Sequence, residues 1–97
     1  MRVAIIGLGV VGLRRKIFID KNSFIKLTAI SDIKFKKKFF TRNKVNYYRN
    51  YNDLINGENL DAVFITLPNY LASKVTILCL KKNLHVFCEK PPAKSLR

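Results

Sequence analysis

The sequence predicts an α/β fold, a doubly wound parallel sheet, on three observations. An apolar run, Val3-Ala4-Ile5-Ile6, passes directly into Gly7-Leu8-Gly9-Val10-Val11-Gly12, where the glycines are spaced GxGxxG. An acidic residue, Asp32, follows Gly12 by twenty positions at the end of a second apolar stretch. Short apolar runs then alternate with segments of helical periodicity through short loops, the pattern of parallel strands joined by right-handed crossovers.

The elements follow in order. Val3–Ile6 reads as a buried strand, and a helix is expected to begin near Gly9 or Val10. In that helix Val10, Leu13 and Ile17 recur at i, i+3 and i+7, a stripe expected to lie on the sheet, with Arg14, Arg15 and Lys16 on the other faces. Lys21-Asn22-Ser23 is a turn, and residues 25–31 form a second strand ending at Asp32. Over residues 34–42 a short helix is expected, with Phe35 and Phe39 inward and Lys36, Lys37 and Lys38 mostly in water. Residues 46–48 form a brief third strand, and Tyr51, Leu54 and Ile55 mark one helical face before Asn56-Gly57. Residues 62–66 are apolar without alternation, as a strand buried on both faces requires. Leu67-Pro68-Asn69 breaks that strand, and Asn69 is expected to cap a helix with Leu71, Val75, Leu78 and Cys79 on one side. Asn83 ends the helix, since Asn is second to Gly in tolerating positive φ, and residues 84–88 form the fifth and last strand.

The glycine loop carries the main chemical signal. The first glycine permits a tight strand-to-helix turn, the second lets a pyrophosphate approach bare backbone, and the third lets the helix pack closely on the strand. The helix N-terminus offers unpaired N–H groups and a positive dipole end to phosphate. Gly7, Gly9, Val10, Val11 and Gly12 are therefore candidate cofactor-binding residues. Asp32, at the tip of the second strand, suits the two ribose hydroxyls of an adenosine and repels a 2′-phosphate, which favours NAD over NADP. The neighbouring Lys34 and Lys36 offset that preference by offering charge to a phosphate. Glu89-Lys90-Pro91 leaves the last strand on the same side of the sheet as the glycine loop. A cation there stabilises an oxygen as charge develops, so Lys90 is the catalytic candidate, its pKa open to lowering by burial and positive surroundings.

Composition narrows the alternatives. Ninety-seven residues suit one domain, 1–97, and 48% hydrophobic content marks an ordered globular chain. No apolar run approaches the roughly 20 residues of a membrane span, and the N-terminal run is too short for a signal peptide, so a cytoplasmic, non-membrane protein is expected. Cys79 and Cys88 lack CxxC spacing and a ligand set, so no metal is expected and both read as small buried residues. His85, alone in an apolar strand, reads as packed and hydrogen-bonded. Nineteen basic against six acidic residues give a net charge of +13. The basic residues are spread along the chain, so no specific nucleic-acid site is expected, and Tyr47, Tyr48 and Tyr51 beside Arg49 read as core and rim packing.

Gly7–Gly12, Ala29-Ile30-Ser31-Asp32, the segment from Leu60 to Asn69 and the segment from His85 to Pro91 together resemble the N-terminal domain of the Gfo/Idh/MocA oxidoreductases, in the right order over nearly the whole chain. The resemblance implies a Rossmann-type domain that binds NAD or NADP and a sugar or cyclitol-like substrate oxidised by hydride transfer. It further implies that Thr66, Pro68, Asn69 and Glu89 border the cofactor, that Lys90 lies by nicotinamide and substrate, and that the bond before Pro91 is cis. Many relatives carry a histidine where this chain has Ala72. The family's second domain, which in the family supplies most substrate contacts and the homo-oligomer interface, is expected to be absent from this chain. The Rossmann sheet is thus expected to be truncated after its fifth strand, the chain being a fragment, a truncated product or one part of a split protein, with little turnover alone. A non-catalytic dinucleotide-binding or redox-sensing module and a basic nucleic-acid binder are the competing readings.

Overall fold

The structure is a computed structural model that describes residues 1–7 and 9–88. Nine elements run in the order β1 (Arg2–Ile6), α1 (Val10–Asp20), β2 (Lys26–Ser31), β3 (Phe39–Arg42), β4 (Val45–Tyr48), α2 (Tyr51–Gly57), β5 (Ala62–Ile65), α3 (Asn69–Lys81) and β6 (His85–Cys88). The strands form one sheet in the order β3-β4-β2-β1-β5-β6. Pairings are parallel except at the edge, where β3 runs antiparallel to β4. The order reverses between β1 and β5, so the mouth of the crevice lies beside the glycine loop that leaves β1.

Two apolar clusters fill the two faces of the sheet. On one face Ala4, Ile6, Ala29, Val63 and Ile65 meet Leu54 and Ile55 of α2 and Val75 and Cys79 of α3. On the other, Val3, Ile5, Leu27, Ile30 and Phe64 meet Ile19 of α1. All four residues of β5 are buried, which explains its unbroken apolar sequence. The left-handed Asn83 (φ 62°) ends α3 as its sequence suggests. Tyr48 is buried, and Tyr47 and Tyr51 pack against the clusters.

Several elements depart from the expectations. No helix forms over residues 34–42; residues 39–42 are a strand, making six strands rather than five. The cause is the Asn43-Lys44 pair, both at positive φ (52° and 65°), which closes a two-residue hairpin whose twist matches its strands. Cross-strand rings reinforce it: Phe40 stacks on Tyr47 at 4.6 Å, and Phe39 meets Tyr48 edge-on at 5.0 Å. Helix α1 is rotated from its expected orientation. Leu13 and Ile17 are 49% and 56% exposed, whereas Ile19 is 1% exposed. Gly12 is buried with Ile19, so these two, seven residues apart, mark the face that meets the sheet. The N-cap of α3 is Pro68, with Asn69 already helical, so Asn69 does not occupy the capping position. Cys79 is buried as expected, but Cys88 is exposed, and so is His85, because β6 is an edge strand.

Candidate dinucleotide-binding site

Register across the parallel strands aligns Ser31, Ile6, Ile65 and Cys88 in one row. The residues that follow the first three, Asp32, Gly7 and Thr66, therefore stand along the same rim of the sheet. Gly7 lies at φ +94°, a conformation that L side chains avoid, and its N–H donates to the Ser31 carbonyl at 2.7 Å. A Cβ at Gly7 would stand 2.9 Å from both the carbonyl and the hydroxyl oxygens of Thr66. A Cβ at Gly12 would collide with the Gly7 carbonyl oxygen. The first and third glycines thus hold the turn and the helix together.

Gly9 differs. As the N-cap of α1 it has an ordinary extended backbone (φ −82°, ψ −160°), and a Cβ there would meet no atom within 4 Å. Its lack of a side chain leaves open space in front of the helix end rather than relieving a clash inside the protein. The hydrogen bond from Leu13 N–H to the Gly9 carbonyl, 2.9 Å, closes the first turn of α1. The N–H groups before Leu13 have no helical acceptor, and the first turn holds no acidic residue to compete for them. Bare backbone, open space and a positive helix end together fit a diphosphate.

Thr66 closes the loop from the β5 side. Its N–H donates to the Ile6 carbonyl at 2.9 Å, and its hydroxyl donates to the Gly7 carbonyl with the Ile6 carbonyl at 3.3 Å. Sequence reasoning placed Thr66 beside a cofactor; the contact made within the protein is with the glycine loop itself. Pro68 is exposed, and its carbonyl accepts from the N–H groups of Leu71 and Ala72 at 3.0 and 2.8 Å, starting α3 on this rim.

Asp32 is half-buried at the tip of β2. Its N–H donates to the Tyr48 carbonyl at 3.1 Å, and its carboxylate Oδ1 accepts the Lys34 N–H at 2.9 Å, an Asx turn. That turn holds the carboxylate at the strand tip and brings Lys34 beside it. A cavity of about 380 Å³ lined by Ile33, Arg49, Asn50, Tyr51 and Asn52 opens nearby. It was not legible in the sequence, because it joins the turn after β2 to the start of α2. Glu89, Lys90 and the bond before Pro91 lie outside the described residues.

Among the described residues three groups depart from their usual values. Burial, with the hydrogen bond to Glu58, pushes the Tyr48 phenol up to about 12. Burial, with Cys88 nearby, pushes the Cys79 thiol up to about 11. The hydrogen bond to Asp20 raises Lys16, at 2.9 Å. Among the described residues no group of three or more His, Cys, Asp or Glu could hold a metal ion, and no helix is long and apolar enough to cross a membrane.

Comparison with known proteins agrees with this fold. Residues 1–97 match the family described as "Oxidoreductase family, NAD-binding Rossmann fold". The chain is 34% identical over 94 residues to a myo-inositol 2-dehydrogenase of Thermotoga maritima, covering 94% of this chain and 28% of that protein. It is 32% identical over 100 residues to an inositol 2-dehydrogenase of Salmonella typhimurium, covering 96% and 29%. Among solved structures, a probable dehydrogenase from Thermotoga maritima superposes with a TM-score of 0.79 at 31% identity, over 94% of this chain and 28% of that one. A D-galactose-1-dehydrogenase from Rhizobium etli does so with a TM-score of 0.77 at 30% identity, over 98% and 30%. The chain thus spans somewhat more than a quarter of the length of the proteins it matches.

Proposed function

The chain belongs to the Gfo/Idh/MocA oxidoreductase family, by its NAD-binding Rossmann domain, and on that premise we propose that it is the cofactor domain of a dehydrogenase acting on a hydroxyl of a sugar or cyclitol-like substrate. The observation that carries the reading is the open face of Gly9 at the N-terminus of α1, between a Gly7 that requires positive φ and a Gly12 that touches the Gly7 carbonyl. The backbone N–H groups of the first turn bind the diphosphate, and the Asp32 carboxylate accepts the adenosine ribose hydroxyls. Of the two nicotinamide cofactors NAD is favoured, because Asp32 repels a 2′-phosphate. Thr66 keeps the loop in place through its bond to the Gly7 carbonyl. Pro68 and Asn69 border the nicotinamide half from the start of α3.

A bound nicotinamide would supply hydride exchange with the carbon that bears the reacting hydroxyl. Lys90, which follows β6 in the sequence, is the group proposed to hold a proton at the substrate oxygen and stabilise its charge, and Glu89 is proposed to border the cofactor. The substrate class comes from the relatives named as inositol and galactose dehydrogenases. Fluorescence titration of NADH tests the site on a chain that contains no tryptophan to interfere. Asp32→Ala is expected to weaken binding about tenfold, as loss of one charged hydrogen-bonding group implies. Equal and negligible binding by both folded proteins would remove the reading.

A further inference from the structure

Cys79 and Cys88 sit on two elements packed against each other, and the cofactor reading uses neither thiol. Cys79 lies on the inner face of α3, fully buried in the cluster that fills that side of the sheet. Cys88 is exposed and ends β6, the edge strand packed against α3. Side chains alternate along a strand, so Cys88 shares a face with Val86, which packs against the cluster that contains Cys79. The contact between Cys88 Sγ and Thr76 Oγ1, 3.2 Å, turns the thiol toward α3. Thr76 precedes Cys79 by three positions, which makes the two neighbours on one side of the helix. At the other end of β6 the Leu84 N–H donates to the Cys79 carbonyl at 3.1 Å, tying the approach to the strand to the last turn of α3.

The two thiols differ in what they can do. Burial, with Cys88 near enough to contribute, holds Cys79 protonated at neutral pH. Cys88 is exposed, so an oxidant in solution meets it first. A disulfide needs its two Cβ atoms about 3.5–4.5 Å apart, whereas neighbours three apart on a helix stand about 5–6 Å apart. From its place beside Thr76, Cys88 therefore reaches Cys79 by a shift of less than one helical turn. The strand can give in that direction, because β6 is hydrogen-bonded on one side only and Cys88, opposite Ile65, is at the end of its ladder.

We propose that Cys79 and Cys88 form a reversible disulfide that fastens the end of β6 to α3. With a small disulfide as the oxidant, the Cys88 thiolate attacks one of its sulfurs, forming a mixed disulfide and releasing one small thiol. Cys79, on losing its proton, attacks the Cys88 sulfur, releases the second small thiol and completes the bond. Two protein thiols are thereby oxidised, and one small disulfide is reduced to two thiols that take up the two protons. Glu89 and Lys90 follow Cys88 in the sequence, so oxidation restrains the strand that leads to them, a consequence that rests on the proposed function. The bond itself does not.

Incubation of the whole folded chain with oxidised glutathione tests this, followed by unfolding without reductant, alkylation with iodoacetamide and mass spectrometry of the peptides. Wild type is expected to yield the peptides of Cys79 and Cys88 joined to each other, with loss of both alkylated forms and their return on treatment with dithiothreitol. Cys79→Ala lacks the second thiol and is expected to accumulate glutathione on Cys88 several-fold above wild type. A wild type that keeps glutathione on Cys88 as fully as Cys79→Ala does would overturn the proposal. So would a bond that forms only between chains or only in urea, or two thiols that stay unmodified throughout. The wild-type peptide map carries the test even where the variant does not fold. Because the readout does not involve the cofactor, failure here leaves the dinucleotide reading standing, and loss of NADH binding leaves this bond standing.

Discussion

Gly12→Ala probes the contact on which the loop depends. The new methyl group would be driven into the Gly7 carbonyl oxygen and stand 3.2 Å from the Thr66 hydroxyl. Neither neighbour yields easily: one is backbone at φ +94°, and the other is already bonded to the carbonyls of β1 and the loop. Overpacking of this kind costs about 1–3 kcal/mol, towards the upper end when the obstacle is main chain. Alanine recovers about 1 kcal/mol through its better helix propensity. The net loss is about 1–2 kcal/mol, or a fall in Tm of roughly 5–15 °C for a domain of this size. Gly9→Ala is the internal comparison, since its methyl group meets nothing within 4 Å and its φ of −82° suits alanine. Stability there should change by about 1 kcal/mol at most, the scale of an N-cap substitution. NADH affinity should fall for both variants, through a displaced loop at Gly12 and an obstructed phosphate position at Gly9. Thermal unfolding followed by circular dichroism, with NADH titration below the transition, gives both readouts. A Gly12→Ala protein within about 2 °C of wild type, or a Gly9→Ala protein less stable than Gly12→Ala, would refute the reasoning.

The rotation of α1 predicts that Ile17→Gln changes stability by less than about 0.5 kcal/mol, whereas Ile19→Ala costs about 2–4 kcal/mol, measured by urea unfolding. The Tyr48 hydroxyl donates to Glu58 at 2.5 Å. Its folded-state pKa of about 12 lies above the ordinary 10.0, so the associated stability is complete below pH 10 and is lost as pH rises towards 12. Tyr48→Phe should flatten that alkaline loss and lower stability at neutral pH by about 1 kcal/mol, the worth of one hydrogen bond; unchanged alkaline unfolding in the variant would refute the assignment. Iodoacetamide should alkylate exposed Cys88 in the native protein and buried Cys79 only on unfolding, read by mass spectrometry of peptides. Equal labelling of both native thiols would contradict the burial of Cys79.

The sequence and the structure agree where local chemistry and tertiary contacts ask for the same thing. Gly7 and Gly12 announce a turn that needs glycine, Gly9 leaves open space before the helix, Asp32 does stand at a strand tip, and Asn83 takes the left-handed conformation for which it was read. The stretch from Lys34 to Arg42 failed because Phe35 and Phe39, four apart, satisfy a helical period equally well. The deciding signal was Asn43-Lys44, a turn pair whose positive φ values commit both flanks to strands before any periodicity counts. Cys88 and His85 were misjudged because an edge strand is apolar without being covered on both sides.

Helix α1 shows how the site dictates the packing around it. An amphipathic helix normally turns its largest apolar residues to the core, and by that rule Leu13 and Ile17 face the sheet. Here Gly12 must abut the Gly7 carbonyl, which fixes the rotation of the helix at its first turn. Residues in phase with Gly12 are then carried inward: Ile19 is fully buried, and Arg15 lies across the Phe18 and Phe64 rings at 5.5 and 5.4 Å. Leu13, one residue and about 100° further round, is carried outward with Ile17. The apolar moment of a helix that opens on a phosphate loop is therefore a poor guide to its buried face. The last glycine of the loop is the better origin from which to count, because close approach there admits only one rotation.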